Sequence, residues 1–508
     1  MTDTPSTVAI EPSGREPAAM SVRGAAVWAM AGQYLSFAIQ FVASVIISRL
    51  FLTPGEVGLF SIGMATALIV AVLQDFGLSR YISGLVTLDH HEIARCGSVA
   101  VLFSGLIAVV VAATAWPMAQ TYHEPRLVQI LLILAGSYLF VPMSVVPMAL
   151  MARTMQFRGL FAVNVAAALA QGGVAVVLAA AGYSSFALAW ATVVAAATRG
   201  IVAQAMRPSW PRRMRFDGIG QVLGFGARTS VLYLTGALGT RTPDLIVGKA
   251  LGVTAVGLYS RAVSLSDQFR MLISGAIGSV FFPAFARIRD RGEPLGPAYL
   301  RVCAGYTGVV WPGMAGLALA SEPIIRLLFG QAWLRTAPLL AMIAMTEVML
   351  IALPLVSDLP ILAGKLNQLL VRNLIDTAMS VLLLAVGTHW GVQGAAGSRL
   401  VYGVVWFALY FRFMRRIVGF DVGAVMLIYL RSGLASMAAL APLALTYLLW
   451  TPPHLVTLAQ LGLATGAGVV CWMIALIALR HPVLDEMLGM AAAVPLVDRY
   501  LPARFRPA

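Results

Sequence analysis

Apolar runs of about 20 residues recur along almost the whole chain, and they constrain the fold more than anything else in it. A run of that length spans the hydrocarbon core of a bilayer as one helix. Backbone groups in lipid must be satisfied internally, so the choice lies between helices and a closed barrel. A barrel strand alternates polar and apolar residues, and these runs do not. The expected class is an all-α polytopic membrane protein. Of its 508 residues 60% are hydrophobic and 11% charged, where a soluble chain carries about 25% charged residues.

Fourteen spans are predicted, near 25–49, 57–77, 97–119, 127–151, 159–181, 185–206, 221–248, 255–285, 298–320, 335–361, 366–388, 391–413, 429–450 and 455–479. The polar first 24 residues read as a disordered cytoplasmic tail, and the first apolar run, too long for a signal peptide, as a retained span. With the N-terminus inside, the segments on that side hold about 21 Lys and Arg, among them Arg80, Arg95, Arg153, Arg158, Arg207, Arg212, Arg213, Arg215, Arg287, Arg289, Arg291, Arg412, Arg415 and Arg416. The other side holds about five: Arg49, Arg126, Lys249, Arg326 and Arg335. Cytoplasmic loops carry such an excess, which places both termini inside and accounts for the net charge of +14. No aromatic-rich basic patch argues for nucleic acid.

Two stretches repeat. LTPGEVGLFS (52–61) resembles LGVTAVGLYS (251–260), and LFAVNVAAALA (160–170) resembles LLVRNLIDTAM (369–379), which sets Asn164 over Asn373. The offsets, 199 and 209 residues, suggest two parallel halves related by an axis along the membrane normal and enclosing a cavity. The expected organisation is a tail (1–24), a six-helix lobe (25–206), a basic linker (207–220), a second six-helix lobe (221–416), two extra spans (417–479) and a basic tail (480–508).

Ionisable residues inside spans are functional candidates by default. They are Arg199, Arg228, Arg241, Asp244, Arg261, Asp267, Arg270, Glu347, Arg372, Asp376 and Arg399; Asp75, Arg301, Asp358 and Arg431 lie at span ends and read as interfacial. Asp267, Arg270 and Glu347 fall near mid-span, where facing lipid would cost on the order of 8–10 kcal/mol for the three. They are expected to face one another or water. Arg241 with Asp244, Asp267 with Arg270, and Arg372 with Asp376 have helical neighbour spacing, which fits internal salt bridges as well as a cavity wall. Arg228, Arg241, Arg261, Arg270, Arg372 and Arg399 outnumber Asp244, Asp267, Glu347 and Asp376, and surplus guanidinium suits a phosphate-bearing substrate. Arg49 and Lys249 occupy corresponding repeat positions at span ends, either as snorkelling anchors or as further cavity cations. Ser36, Gln40, Ser44 and Ser48 put a polar face on the first span, and Pro243 is expected to kink the seventh.

Cys96, Cys303 and Cys471 are scattered, and His90, His91 and Glu92 read as a solvated loop, so no metal or disulfide framework is expected. No phosphate-binding loop signature and no nucleophile–base constellation occur, so no cofactor and no enzyme activity are expected. Energy would come from an ion gradient, the membrane potential or the substrate's own gradient, and a buried acid (Glu347, Asp267 or Asp244) is a candidate proton acceptor.

ISRLFLTPGEVGLFSI (47–62) and DFGLSRYI (75–82) resemble the opening of Wzx-type oligosaccharide flippases, members of the multidrug/oligosaccharidyl-lipid/polysaccharide exporter superfamily. RTPDLIVGKALGVTAVGLYSRAVSL (241–265), VFFPAFARIRD (280–290) and WPGMAGLALASEPIIRLLFGQAWLRTAPLL (311–340) continue the likeness, which covers most of 24–415. Arg241, Asp244, Lys249, Tyr259 and Arg261 match the family pattern by position, and Pro243 departs from it. The resemblance implies transfer of an undecaprenyl-pyrophosphate-linked oligosaccharide across the bacterial inner membrane by alternating access, for O-antigen, capsule or exopolysaccharide. It implies two six-helix lobes around a cavity with a lateral opening between the first and eighth spans, a lipid-tail groove at the last two spans, and a polysaccharide polymerase and chain-length regulator as partners. A lipid II flippase, a cation-coupled drug antiporter and a membrane scaffold are the competing readings. The antiporter predicts an acid-rich cavity, and the scaffold predicts dispensable charges.

Overall fold

A computed structural model describes residues 22–71, 90–210, 238–278 and 281–484, together with Ile82, Met214 and Met487. All its regular elements are helical: α1 (Val22–Leu50), α2 (Pro54–Ala71), α3 (His90–Tyr122), α4 (Arg126–Tyr138), α5 (Pro142–Arg153), α6 (Phe157–Ala180) and α7 (Ser185–Met206). Residues 238–251 form the described part of α8 and are helical through Pro243. There follow α9 (Val253–Gly278), α10 (Phe281–Asp290), α11 (Leu295–Leu319), α12 (Ser321–Phe329), α13 (Ala337–Ile351), α14 (Asp358–Leu362), α15 (Leu366–Gly387), α16 (Gly391–Val418), α17 (Val422–Leu449) and α18 (Leu458–Ala478).

Among the described residues ten helical stretches are long and apolar enough to cross a membrane, and the pair α4–α5, bent by 45°, makes an eleventh. One of the ten, Leu366–Val418, comprises α15 and α16, which pack on each other through the turn Thr388–Trp390. The chain is thus a multi-pass helical membrane protein. Helix starts follow local chemistry. Thr53 donates from its amide and hydroxyl to Glu56 ahead of α2, Asp421 accepts from the Ala424 amide at the start of α17, and Thr457 and Gln460 form a reciprocal capping box at α18. The expected N-terminal tail to residue 21, the end of the second span, Arg80, the linker arginines Arg212, Arg213 and Arg215, the start of the seventh span with Arg228, and the tail beyond Met487 lie outside the described residues.

The chain divides into two compact units. The first takes residues 1–44, 70–113 and 132–230. Within it α6 and α7 pack through alanines such as Ala167, Ala175, Ala187 and Ala191, all buried. Lipid tails give helices no hydrophobic reason to associate, so close contact between small side chains supplies the attraction. A second core joins Cys96, Val99 and Ala100 of α3 to Val146, Ala149 and Leu150 of α5, and Arg153 donates to the Ile82 carbonyl at 2.8 Å.

The second unit takes residues 45–69, 114–131 and 231–508. In it α9 packs on α11 and α13, α13 and α15 pack on α16, and α17 bridges α11 and α18. These contacts hold the ionisable groups of α9, α13, α15 and α16 inside one unit.

Candidate functional site

The mid-span charges converge. On α9, Arg270 reaches Asp267 one turn back at 3.2 Å, and its Nε stands 3.1 Å from the Glu347 carboxylate of α13. The two acids differ in setting: the Glu347 side chain is 8% exposed and the Asp267 side chain 52%, with Arg270 between them at 39%. Arg399 of α16 lies within electrostatic reach of Glu347, Asp267 and Tyr259, and its guanidinium sits 5.4 Å from the Tyr402 ring centre. Tyr402 in turn lies within electrostatic reach of Asp376 of α15. At 1.5 Å per residue, Arg399, Glu347 and Asp267 stand about 12, 15 and 21 Å from the start of their own helices, so none of the three lies in the first turn of its helix.

Of the three pairs read from helical spacing, Asp267–Arg270 is an ion pair. Arg372 instead lies over the Phe413 ring at 3.9 Å and donates to the Gln368 carbonyl. Arg241 is exposed and feels Asp244 electrostatically, and among the described residues the two form no ion pair. Asn373 accepts from the Tyr410 hydroxyl at 2.8 Å. Gln40 is exposed on α1, while Ser44 and, on α6, Asn164 are half-buried. Arg199 is exposed on α7.

Arg261 lies elsewhere. It lies half-buried against the rings of Phe329 and Trp333, 5.1 Å from each centre, and donates to the Ser48 hydroxyl. Arg261 thus stands apart from the cluster, in which the two cations Arg270 and Arg399 meet the two acids Asp267 and Glu347.

The second constellation gathers where α1, α3 and α8 finish and α2 and α9 begin, here called the tied end. Arg49 of α1 donates to the Leu327 carbonyl of α12, and Lys249 of α8 donates to the Thr121 carbonyl of α3 at 2.8 Å. Trp333 donates from its ring nitrogen to the Ser48 carbonyl, and Tyr122 donates to the Leu245 carbonyl, both at 2.8 Å. Each of these bonds runs between an early segment and a late one. Between them α2 crosses α9 almost backbone to backbone. A Cβ on Gly58 would stand 1.8 Å from the Val253 carbonyl oxygen, and one on Gly257 would stand 1.7 Å from that of Pro54. One turn on, the Ser61 and Ser260 hydroxyls bond at 3.0 Å. Gly58 with Gly257 and Ser61 with Ser260 are equivalent positions of the 199-residue repeat, so the two copies touch through the same residues.

Sequence reasoning named Arg49 and Lys249 but missed what they bind, because backbone carbonyls leave no trace in composition, and it missed the side chains of Ser48, Phe329 and Trp333 around Arg261 because they come from distant segments. It also passed over Gly58 and Gly257, although both lie in the repeated motif. Glycine in identical register in two copies was the available signal.

A model of the family described as polysaccharide biosynthesis protein matches residues 46–338, more than half of the chain. The chain is 24% identical over 394 residues to the succinoglycan biosynthesis transport protein ExoT of Rhizobium meliloti, covering 75% of this chain and 76% of that protein. It is 21% identical over 323 residues to the lipopolysaccharide biosynthesis protein WzxC of Escherichia coli, covering 62% and 65%. Among solved structures it superposes on the lipid II flippase MurJ in an inward closed conformation, with a TM-score of 0.71 at 12% identity over 89% of this chain and 99% of that one. A MATE protein in complex with MaL6 gives a TM-score of 0.52 at 14% identity over 78% and 97%. At such identities these two likenesses show a shared fold.

Proposed function

We propose that this chain, which belongs to the polysaccharide biosynthesis protein family, is a flippase that carries a lipid-linked oligosaccharide across the membrane. The observation that carries this reading is the cluster of Arg270, Arg399, Asp267 and Glu347 drawn together from α9, α13 and α16, which we read as lying at mid-membrane, in a chain whose relatives are named for polysaccharide biosynthesis and transport. A pyrophosphate head crossing hydrocarbon needs guanidinium groups to meet it, since Arg presents a planar fork of donors to phosphate oxygens.

The finer reading is ours as well. Counting α15 and α16 separately and adding the α4–α5 pair, α8 and α9 gives fourteen spans: two six-helix repeats around a cavity, and α17 and α18 outside them. The membrane is the bacterial inner membrane, the termini are cytoplasmic, the carrier is undecaprenyl pyrophosphate, and the tied end faces away from the cytoplasm. The cycle alternates between an arrangement closed at the tied end and one open there. A polymerase and a chain-length regulator receive the product. Arg241 and Arg372 join Arg270 and Arg399 along the path. Lipid II is the second substrate of this chemical class, and the names of the polysaccharide relatives favour the first.

The test uses cells whose polymer export depends on this chain alone. Arg270→Ala should lower polymer yield at least tenfold with the protein at its normal level in the membrane, and Arg241→Ala should lower it less. Wild-type yield from Arg270→Ala would remove the mid-membrane cluster from the transport path.

A further inference from the structure

Arg270 has two acidic partners whose surroundings differ sharply. Glu347 comes from another helix, is almost fully buried, and feels Arg399 from a third helix as well as Arg270. Asp267 comes from the same helix as Arg270, three residues back, and is half exposed. Any anion that binds Arg270 must compete with one of them, because cations and acids are balanced in this cluster. Expelling Glu347 would leave a buried carboxylate without its nearest cation, a change that strongly destabilises proteins. Expelling Asp267 leaves a carboxylate that water already reaches.

Resting on the flippase reading above, we propose that the pyrophosphate of the lipid-linked substrate takes the place of Asp267 on Arg270, while Glu347 stays bound and holds the guanidinium in position. Glu347 is a positioning residue, and Asp267 is an internal competitor that occupies Arg270 between substrates. Asp267 therefore has a second task. Returning to Arg270, it helps to expel the head group on the far side, so that binding and release stay matched. Tight binding without release would hold the substrate in a well and slow turnover.

The proposal makes a prediction that net charge does not. By charge alone, neutralising either acid removes a repulsion and should tighten binding of an anion. By geometry, the two changes act in opposite directions. Purified protein in detergent is titrated with undecaprenyl pyrophosphate, and with undecaprenol to isolate the contribution of the tail. Asp267→Asn should bind the pyrophosphate about five- to tenfold more tightly than wild type and yet export polymer more slowly in cells. Glu347→Gln should bind it at least tenfold more weakly, and Glu347→Asp, which keeps the charge, should recover most of the loss. Undecaprenol binding should be the same in all four proteins. If Asp267→Asn and Glu347→Gln shift affinity in the same direction, the division of roles is wrong although the site stands. If Arg270→Ala binds the pyrophosphate as wild type does, the site itself is wrong and the flippase reading loses its main support.

Discussion

At the tied end, the cations of α1 and α8 meet backbone carbonyls; about 25 Å along α9, the cation Arg270 meets carboxylates. The partners decide what each region can do. A carbonyl is a fixed dipole whose position depends on the helix that carries it, so a bond to it registers how two helices sit. It neither balances the cation nor yields readily to a phosphate without breaking the arrangement. A carboxylate is a side chain with the charge of the ligand itself, so it can be exchanged for one. The first region is suited to sensing geometry, and the second to sensing an anion.

The largest expected effect comes from the close crossing of α2 and α9. Gly58→Ala places a methyl group where the Val253 carbonyl oxygen already stands, and no side chain can move aside to admit it. Export should fall more than tenfold while affinity for polyprenyl pyrophosphate stays within about twofold of wild type, because contacts this distant are nearly additive. A reversible version uses Ser61→Cys with Ser260→Cys, whose side chains meet in the native protein. Oxidation should stop export and a reductant should restore it. If the oxidised double variant exports normally, the crossing is a static joint and the tied end does not open.

Smaller effects are expected from the two crosswise cations. Arg49→Ala and Lys249→Ala each remove one bond from an exposed cation, and each should reduce export about threefold, with the double variant near tenfold if the bonds act independently. Neither should alter the binding of undecaprenyl pyrophosphate. Loss of that binding in Arg49→Ala, on the scale expected for Arg270→Ala, would merge the two regions into one site and end the comparison.

How much of this was legible follows from the range of each interaction. Apolar runs of span length showed the helices, and described boundaries such as Ser185–Met206 and Leu366–Gly387 fall within a residue or so of those expected. Asp267 with Arg270 was legible because three residues along one helix fix the neighbourhood. Glu347 could be placed in depth from its own run, but only the packing of α13 on α9 gave it Arg270. The stack of Arg261 on Phe329 and Trp333 was out of reach, since those rings are brought in by α12 and by the turn Gln331–Thr336 that follows Gly330. The spacing of Arg372 and Asp376 was right for a pair, yet rings on α16 compete for both, Phe413 for the first and Tyr402 for the second.

The smallest effect separates both regions from a third. Just past the end of α18, His481 is buried, and its Nδ1 accepts from the Val483 amide at 3.2 Å. Its Nε2 therefore carries the proton and donates to Ser432, which donates to Thr307, which donates to the Cys303 carbonyl. Burial, with help from Arg431, pushes the His481 pKa from 6.5 down to about 4. A second proton would have to sit on Nδ1, facing a donor. The unfolded chain takes up that proton near pH 6.5 and the folded chain does not, so the stability given by neutral His481 is complete above that pH and declines as pH falls towards 4. The melting temperature should drop by a few degrees between pH 7.5 and 5. His481→Leu should flatten that slope, melt lower at pH 7.5 because Ser432 and the Val483 amide lose their partner, and bind undecaprenyl pyrophosphate as wild type does. Arg270→Ala and Arg49→Ala should both keep the wild-type slope. A slope that survives in His481→Leu but disappears in Asp267→Asn would move the proton-sensitive group to mid-membrane, and the cluster there would then respond to protons as well as to the substrate anion.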